Sequence, residues 1–358
     1  MNTNEKILDK IVAFAVDIQR YEASIQNDVF KQLKSLESKV LKELRESEVS
    51  DTLNKQRQQK KLKALLIKTK ATITQAYKDL SKDQITILKE VAELSELQVV
   101  SSINASLGAT IIAPKLSQTM INTIASDTLI EGAPTKEWWS RKGAQFQSKF
   151  EDTVRMGMMQ GIATSEIVRT LRGTKANRYK DGAMQSTFNG ANALVRSSIQ
   201  TVANTANTET FQQNKDVIES IQWSATFDNR TSVICMSLDG LRWDMDYKPI
   251  GHSKVYPGST AHWNCRSRQI PVTKSWEELG SKKKFRTIPK GTRASMDGQV
   301  APNKNYEQWL RGKSKAFQIE VLGVQKRKLW IEGKMGFSDL INQTGNPLTL
   351  AEIKAKVS

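Results

Sequence analysis

The chain has 358 residues, 38% of them hydrophobic and 7% aromatic, which is enough to build two or three folded domains. Only two cysteines and two histidines are present, which excludes a disulfide-rich framework and limits histidine-based catalysis. The formal net charge of +17 favours a polyanionic partner such as nucleic acid, although a basic surface can also serve solubility alone.

Targeting and membrane signals are weak in this sequence. No run approaches the roughly 18 consecutive apolar residues of a membrane span. Acidic residues lie among the first apolar ones, and no small-residue cleavage site follows them, so the N-terminus does not resemble a signal peptide. We therefore expect a soluble protein made in a cytoplasm.

Residues 1–100 are predicted to form a helical arm or bundle. Apolar residues recur there at steps of three and four, as on the buried face of an amphipathic helix. A polar stretch at residues 47–54 is expected to end the first helix. Ser81 followed by Gln84 matches a capping box and predicts a new helix start. The apolar stripe is either a bundle core or a seam that docks on partner helices.

Residues 101–136 are predicted to be a linker with short helices, because Gly and Pro interrupt the pattern. Helices are then expected from Trp138 and over about 188–214, with Ser165 as the N-cap of a helix at 166–172. A short strand is predicted at 218–225. The Asp239–Gly240 pair that follows predicts a hairpin turn.

The end of the chain divides into a basic loop, residues 276–305, and a C-terminal helical extension, residues 306–358. Short helices are expected there at about 306–319, 326–332 and 348–357. With a central domain at 137–275, the whole sequence predicts a mainly α protein with a small α+β module. Long N-terminal helices precede a domain of helices and short strands, and a short helical tail ends the chain.

Two segments carry the most informative motif, QWSATFDNRTSVICMSLDGLRWD at residues 222–244 and AHWNCRSRQIPV at residues 261–272. A strand ends near Trp223, a polar turn follows, and a Cys and a His-x-x-Cys-Arg sequence lie on either side of a loop. These residues are expected to hold a thinly cored, loop-rich module together. The structural motif residues are Trp223, Asp228, Arg230, Thr231, Asp239, Gly240 and Arg266.

This order of residues resembles the phage Mu F-like minor head protein family, also called the phage head morphogenesis domain. The segments MGMMQGIATSEIVRTLRG and ALVRSSIQTVANTANTETF are similar to the two helical segments that precede the strand in that family. The tail is similar to the C-terminal extension of many phage members. The resemblance covers roughly residues 145–358, and the N-terminal helices match in general character alone.

The resemblance implies a structural, non-enzymatic minor head (capsid) protein of a tailed bacteriophage, located in the virion inside the phage head. It implies association with the portal, with capsid or scaffold proteins as further partners, and a role in head morphogenesis and in DNA packaging or ejection. The alternative is a Mu F-type phage-borne toxin, such as an ADP-ribosyltransferase or a nuclease. The tail disfavours a toxin, because it is short and has no histidine or clustered carboxylates. A cellular DNA-binding protein is a third possibility, without a recognisable DNA-binding motif to support it.

Family members commonly carry a Cys-x-x-Cys and a His-x-x-Cys-Arg-Cys, which suggests a zinc cluster. Here Ser232 and Ser267 occupy two of the cysteine positions, and three ligands remain: Cys235, His262 and Cys265. Zinc is possible if Asp228 or another carboxylate completes the site. Otherwise the three residues are a buried structural group, and we expect no cofactor.

Basic residues concentrate in two stretches. Residues 52–78 hold eight Lys and Arg and no acid, and residues 266–334 hold 17 Lys and Arg against six Asp and Glu. One run is predicted to contact the phosphates of double-stranded DNA without sequence specificity, although a solvated loop is the alternative. Its residues are Lys282, Lys283, Lys284, Arg286, Lys290 and Arg293.

Overall fold

The computed structural model of the protein describes residues 3–49, 54–275, 293–301 and 303–357. It is 63% helical, and its strands form small antiparallel sheets, which confirms the predicted mainly α protein with a small α+β module. Among the described residues, none of the helices combines the length and the apolar character that a membrane span requires.

The described residues form eleven α-helices: α1 (Thr3–Ser47), α2 (Lys55–Leu107), α3 (Gln118–Asp127), α4 (Thr135–Met159), α5 (Thr164–Arg172), α6 (Gln185–Gln212), α7 (Val233–Leu238), α8 (Tyr306–Arg311), α9 (Lys315–Leu322), α10 (Val324–Ile331) and α11 (Leu350–Val357). A 3₁₀ turn lies at Phe337–Leu340. The strands are β1 (Leu129–Ile130), β2 (Ala133–Pro134), β3 (Ile218–Ser224), β4 (Arg242–Asp244), β5 (Pro249–Ile250), β6 (Arg268–Thr273), β7 (Arg293–Ser295) and β8 (Gly298–Val300).

The two N-terminal helices, α1 and α2, are 45 and 53 residues long. The first ends at Ser47, within the polar stretch expected to end it. The apolar stripe predicted for α1 is buried along its length. Its buried members are Ile7, Ile11, Ile18, Ile25, Val29, Leu33, Leu36, Val40 and Leu44.

The predicted helix start at Ser81 is wrong, because α2 continues unbroken from Lys55 to Leu107. Both residues of the expected capping box are buried inside the helix, and Gln84 donates a hydrogen bond to the hydroxyl of Ser198 at 3.4 Å. Capping residues favour a helix start only where the chain can leave the helix. Here the buried stripe continues through the position and overrides that preference.

The predicted cap at Ser165 is also wrong. Helix α5 begins one residue earlier, at Thr164, and Ala163 holds the N-cap position without a side-chain hydrogen bond. Thr164 and Ile167 are both buried, so packing of the first turn places the start of this helix.

The segment after α2 is ordered by a side chain. Asn104 accepts the backbone N–H groups of Ile111 and Ile112 and donates to the Ile112 carbonyl at 2.7 Å. The short helix α3 and the hairpin of β1 and β2 follow, and Pro134 precedes the first turn of α4. The short helix expected in residues 101–136 is therefore present.

Contacts between residues divide the chain into two compact units, each assembled from separate stretches. Unit 1 comprises Met1–Gln19, Glu90–Ile124 and Gln200–Ser358, and unit 2 comprises Arg20–Lys89 and Ala125–Ile199. The five consecutive domains expected from the sequence stay a prediction.

Unit 2 has an aromatic core. The ring of Tyr77 lies 6.2 Å from Trp139 and 5.9 Å from Phe146, centroid to centroid, and Phe146 lies 6.5 Å from Phe188. The buried carboxylate of Glu22 accepts a hydrogen bond from Arg196 at 2.7 Å. This pair ties α1 to α6 within the unit.

Unit 1 contains a four-stranded antiparallel sheet in the order β5-β4-β3-β6. Strand β3 is central and confirms the strand predicted at 218–225. The predicted hairpin at Asp239–Gly240 is wrong, because helix α7, and not a strand, leads into that turn. Alternation of polar and apolar residues is too short before Asp239 to distinguish one turn of helix from a strand.

The C-terminal helices pack on unit 1. The helix predicted at 306–319 is divided into α8 and α9, because Ser314 starts α9 by accepting the N–H of Phe317. The helices predicted at 326–332 and 348–357 correspond to α10 and α11. Buried aromatic residues from this region surround Phe227, namely Tyr306, Trp309, Trp330 and Phe337.

Candidate functional site

A turn centred on Asp228 follows strand β3 and joins the two segments of the motif. Its carboxylate accepts the N–H of Arg230 at 3.0 Å and the hydroxyl of Thr231 at 3.1 Å. The guanidinium of Arg266 donates to both carboxylate oxygens, with N–O distances of 2.5 and 2.7 Å. Such a two-pronged ion pair is both strong and geometrically specific. It fastens the Asp-x-Arg-Thr turn to the His-x-x-Cys-Arg loop.

Burial and charge act in opposite directions on this pair. Burial raises the pKa of Asp228, but hydrogen bonds from Arg266, its positive charge, and hydrogen bonds from Arg230 and Thr231 together hold that pKa below its usual value. The hydrogen bond to Asp228 raises the pKa of Arg266. Both groups therefore stay charged.

Asp239 ties the end of β3 to the first turn of α8. One of its carboxylate oxygens accepts the N–H of Ala225 and the other accepts the N–H of Tyr306, both at 2.7 Å. Gly240 follows with a φ of +83°, a conformation that favours glycine, and donates its N–H to the Trp223 carbonyl. The Asp-Gly pair is thus a helix-to-strand turn that also anchors the tail.

Cys235, His262 and Cys265 converge between α7 and the loop before β6. The Cys235 sulfur lies 3.1 Å from Nε2 of His262 and 3.6 Å from the Cys265 sulfur. The hydroxyl of Ser232, the N-cap of α7, lies 2.7 Å from the same Nε2. Nδ1 of His262 lies 2.8 Å from the Trp263 carbonyl, so its proton belongs on Nδ1 and the Nε2 lone pair faces the cluster.

The two thiols differ in acidity. Burial, together with the neighbouring Cys265, raises the pKa of Cys235. The hydrogen bond from Cys235 lowers the pKa of Cys265, and His262 acts in the same direction. Cys265 is therefore the thiol that loses its proton first.

The ligand types and spacing suit zinc in part. The three ligand atoms lie within 4.8 Å of one another, and tetrahedral zinc would place two sulfurs about 3.8 Å apart. A closed structural site needs four ligands, and the described residues offer three in this group. Asp228, the carboxylate suggested as a fourth ligand, is instead engaged by Arg266. The residues present therefore do not form a closed zinc site.

The residues predicted to contact DNA lie mostly outside the described part of the chain. These are Lys282, Lys283, Lys284, Arg286 and Lys290. Arg293 begins β7, which pairs with β8 in a two-stranded sheet.

Sequence reasoning missed two residues of the site. The Tyr306 hydroxyl donates to the Asp228 carbonyl at 2.6 Å, although 78 residues separate them. Asn204 of α6 is buried, donates to the Ser259 and Ser267 carbonyls and accepts from Arg268 at 3.3 Å. A signal for Asn204 was available, because Thr201, Asn204, Thr205 and Thr208 form a polar stripe at helical spacing.

Comparison with known proteins bears on the same region. The family model described as Phage Mu protein F like protein matches residues 148–270. The chain carries a Mu F-like domain. The match runs from within α4 into β6 and includes Asp228, the thiol–histidine cluster and Arg266. No curated protein and no solved structure gave a significant match.

The Mu F-like domain indicates a protein of phage head morphogenesis, with its place in the virion and its partners among the proteins of the head. The match ends at residue 270. The tail and the N-terminal helices therefore lie outside it.

Proposed function

We propose that this protein is a structural minor head protein of a tailed bacteriophage, bound near the portal inside the head and made in the cytoplasm of the bacterial host. The Mu F-like domain at residues 148–270 is the observation that carries the proposal. In this role the protein catalyses no reaction. It supports head morphogenesis and the packaging or ejection of DNA.

The N-terminal helices are the proposed contact with the portal or with capsid and scaffold proteins. Their length and their exposed apolar side chains, such as Ile67 and Leu97, suit helix-in-groove binding. The second role, contact with DNA, follows from charge. A protein of net charge +17 enclosed with the genome gains affinity from phosphate contacts that are independent of base sequence.

Quantitative mass spectrometry of purified particles tests this function, with DNA-filled heads compared with emptied ones and each normalised to the major capsid protein. We expect a few copies per filled particle, and their loss from emptied heads if the protein leaves with the DNA. Retention in emptied heads would contradict the ejection role and keep the structural one. Absence from all particles would overturn the minor-head function.

The thiol–histidine cluster is proposed to act as a clasp that needs no metal. Hydrogen bonds among Ser232, Cys235, His262 and Cys265 already join α7 to the loop before β6. The two serines stand where the resemblance places cysteines, and serine hydroxyls are not among the usual zinc ligands.

Metal analysis of the purified chain checks the clasp. We expect no stoichiometric zinc in the parent protein and an unchanged melting temperature with a chelator. The variant Ser232→Cys restores a fourth ligand beside Nε2 and should acquire zinc, whereas Ser237→Cys, on the same helix, should not. One zinc per parent chain, removed by chelator with a fall in melting temperature, would overturn the metal-free clasp.

A further inference from the structure

A cavity of about 300 Å³ lies in unit 1, between α1, the end of β3 and the start of β6. Three arginines line it: Arg230, Arg266 and Arg268. We propose that this cavity binds a phosphate group carried by a nucleotide or by a DNA strand. The assignment to DNA rests on the proposed function, whereas the site itself rests on the residues that line it.

The charges of the cavity are unbalanced. Asp228 is the carboxylate among its described lining residues, and both of its oxygens accept from Arg266. Arg230 is 3.8 Å from that carboxylate, and its side chain is 78% exposed. Arg268 is 3% exposed. Three guanidinium groups against one carboxylate leave a net positive lining, which favours an anion.

The local geometry brings the arginines to one wall. Arg266 and Arg268 are two residues apart where the chain enters β6, and side chains two apart in an extended segment point to the same side. Planar guanidinium groups donate paired hydrogen bonds that match the oxygens of a phosphate. Buried Arg268 would supply a fixed charge, and exposed Arg230 can close over the ligand.

The opposite wall is apolar and indicates a phosphate ester. Val12 and Val16 of α1, Phe227 and Met296 contribute carbon surface to the same cavity. A volume near 300 Å³ is at the small end of the range for small-molecule sites, sufficient for a phosphate with its sugar. A nucleotide should therefore bind more tightly than inorganic phosphate.

Isothermal titration calorimetry of the full chain tests the site at fixed ionic strength in chloride buffer. The probes are thymidine monophosphate, unphosphorylated thymidine, inorganic phosphate and a short oligothymidine without a terminal phosphate. We expect saturable binding of the monophosphate and none of thymidine. Arg230→Gln should weaken that binding about tenfold, the loss expected for one charge-assisted hydrogen bond. Arg169→Gln, which changes an equally exposed arginine on α5, should leave it unchanged.

Equal weakening by both variants would assign the binding to the general basic surface and overturn the site, as would absence of saturable binding in the parent chain. Binding of oligothymidine that also depends on Arg230 identifies DNA backbone as a ligand source. Binding restricted to inorganic phosphate would overturn the nucleotide assignment. A chain that binds the monophosphate but is missing from particles would retain the site and lose the proposed function.

Discussion

Asp228 is a buried carboxylate whose side chain and backbone are both fully engaged. Its two side-chain oxygens accept from its own turn and from Arg266, and its carbonyl accepts from Tyr306. Removing one partner of a buried ion pair leaves the other charge without compensation, which costs far more than the pair gains. This single residue therefore couples the turn, the loop before β6 and the tail.

Asp228→Asn should lower the free energy of unfolding by about 3 kcal/mol, because Arg266 keeps its buried charge and loses the carboxylate. Urea unfolding followed by circular dichroism measures the loss. Asp246→Asn is the matched control, since Asp246 lies on the surface 4.0 Å from Lys248 and its loss should have almost no effect. Equal losses in the two variants would contradict the role of the buried pair.

The same carboxylate predicts an acid-sensitive stability. The pKa of Asp228 is lower in the folded chain than its usual value. Its contribution is therefore complete above about pH 4, the unfolded value, and is lost as pH falls through the folded pKa. Unfolding measured from neutral to acidic pH should show a steeper decline for the parent than for Asp228→Asn. Parallel curves would show that other groups control acid unfolding.

At the scale of elements, helices α4 and α5 meet at a glycine. A Cβ atom on Gly157 would lie 2.5 Å from Cγ1 of Ile167, a distance that requires one helix to move. The buried side chains of Val154 and Ile167 flank this contact. Absence of a side chain at this position permits the close approach.

Gly157→Ala should destabilise the chain by about 1 to 3 kcal/mol, because overpacking outweighs the better helix propensity of alanine. Thermal unfolding gives the change. Gly190→Ala in α6 is the control, since its new Cβ would meet only the flexible end of Lys142, at 3.1 Å. Stabilisation by both substitutions would indicate that α4 and α5 separate easily.

Sequence periodicity predicted the long helices because their buried stripes repeat over many turns. It could not place element ends set by tertiary contacts: burial of Ser81 and Gln84 overrode a capping signal, and one turn of helix replaced a strand before Asp239. Within the site, the motif order predicted residues that lie near one another. The hydrogen bond of Tyr306 with Asp228 was beyond reach, because no local pattern reports a partner 78 residues away.

At the scale of the whole molecule, the C-terminal helices complete the core of unit 1. The Phe227 ring lies 5.7 Å from Tyr306 and 5.6 Å from Trp309. Asp239 holds the first N–H of α8. These contacts make the tail part of the unit.

Removal of residues 301–358 should therefore abolish cooperative unfolding of unit 1, because Phe227 and its apolar neighbours would face water. Thermal unfolding with tryptophan fluorescence and limited proteolysis detects this loss. Tyr306→Phe provides a graded comparison: it removes one buried hydrogen bond and should cost about 1 to 2 kcal/mol with cooperativity retained. A truncated chain that unfolds cooperatively would show that the tail is a separable extension.

The division of each unit into separate stretches has a consequence for synthesis on the ribosome. Ile7 and Ile11 pack with Val217, Ile218 and Ile270, which are translated about 200 residues later. At typical elongation rates this interval is roughly 10 to 40 s. Unit 2 has all its residues once Ile199 is made, whereas the apolar face of the first helix must wait, exposed to chaperones and to other nascent chains. The first residues to be made are among the last to be buried.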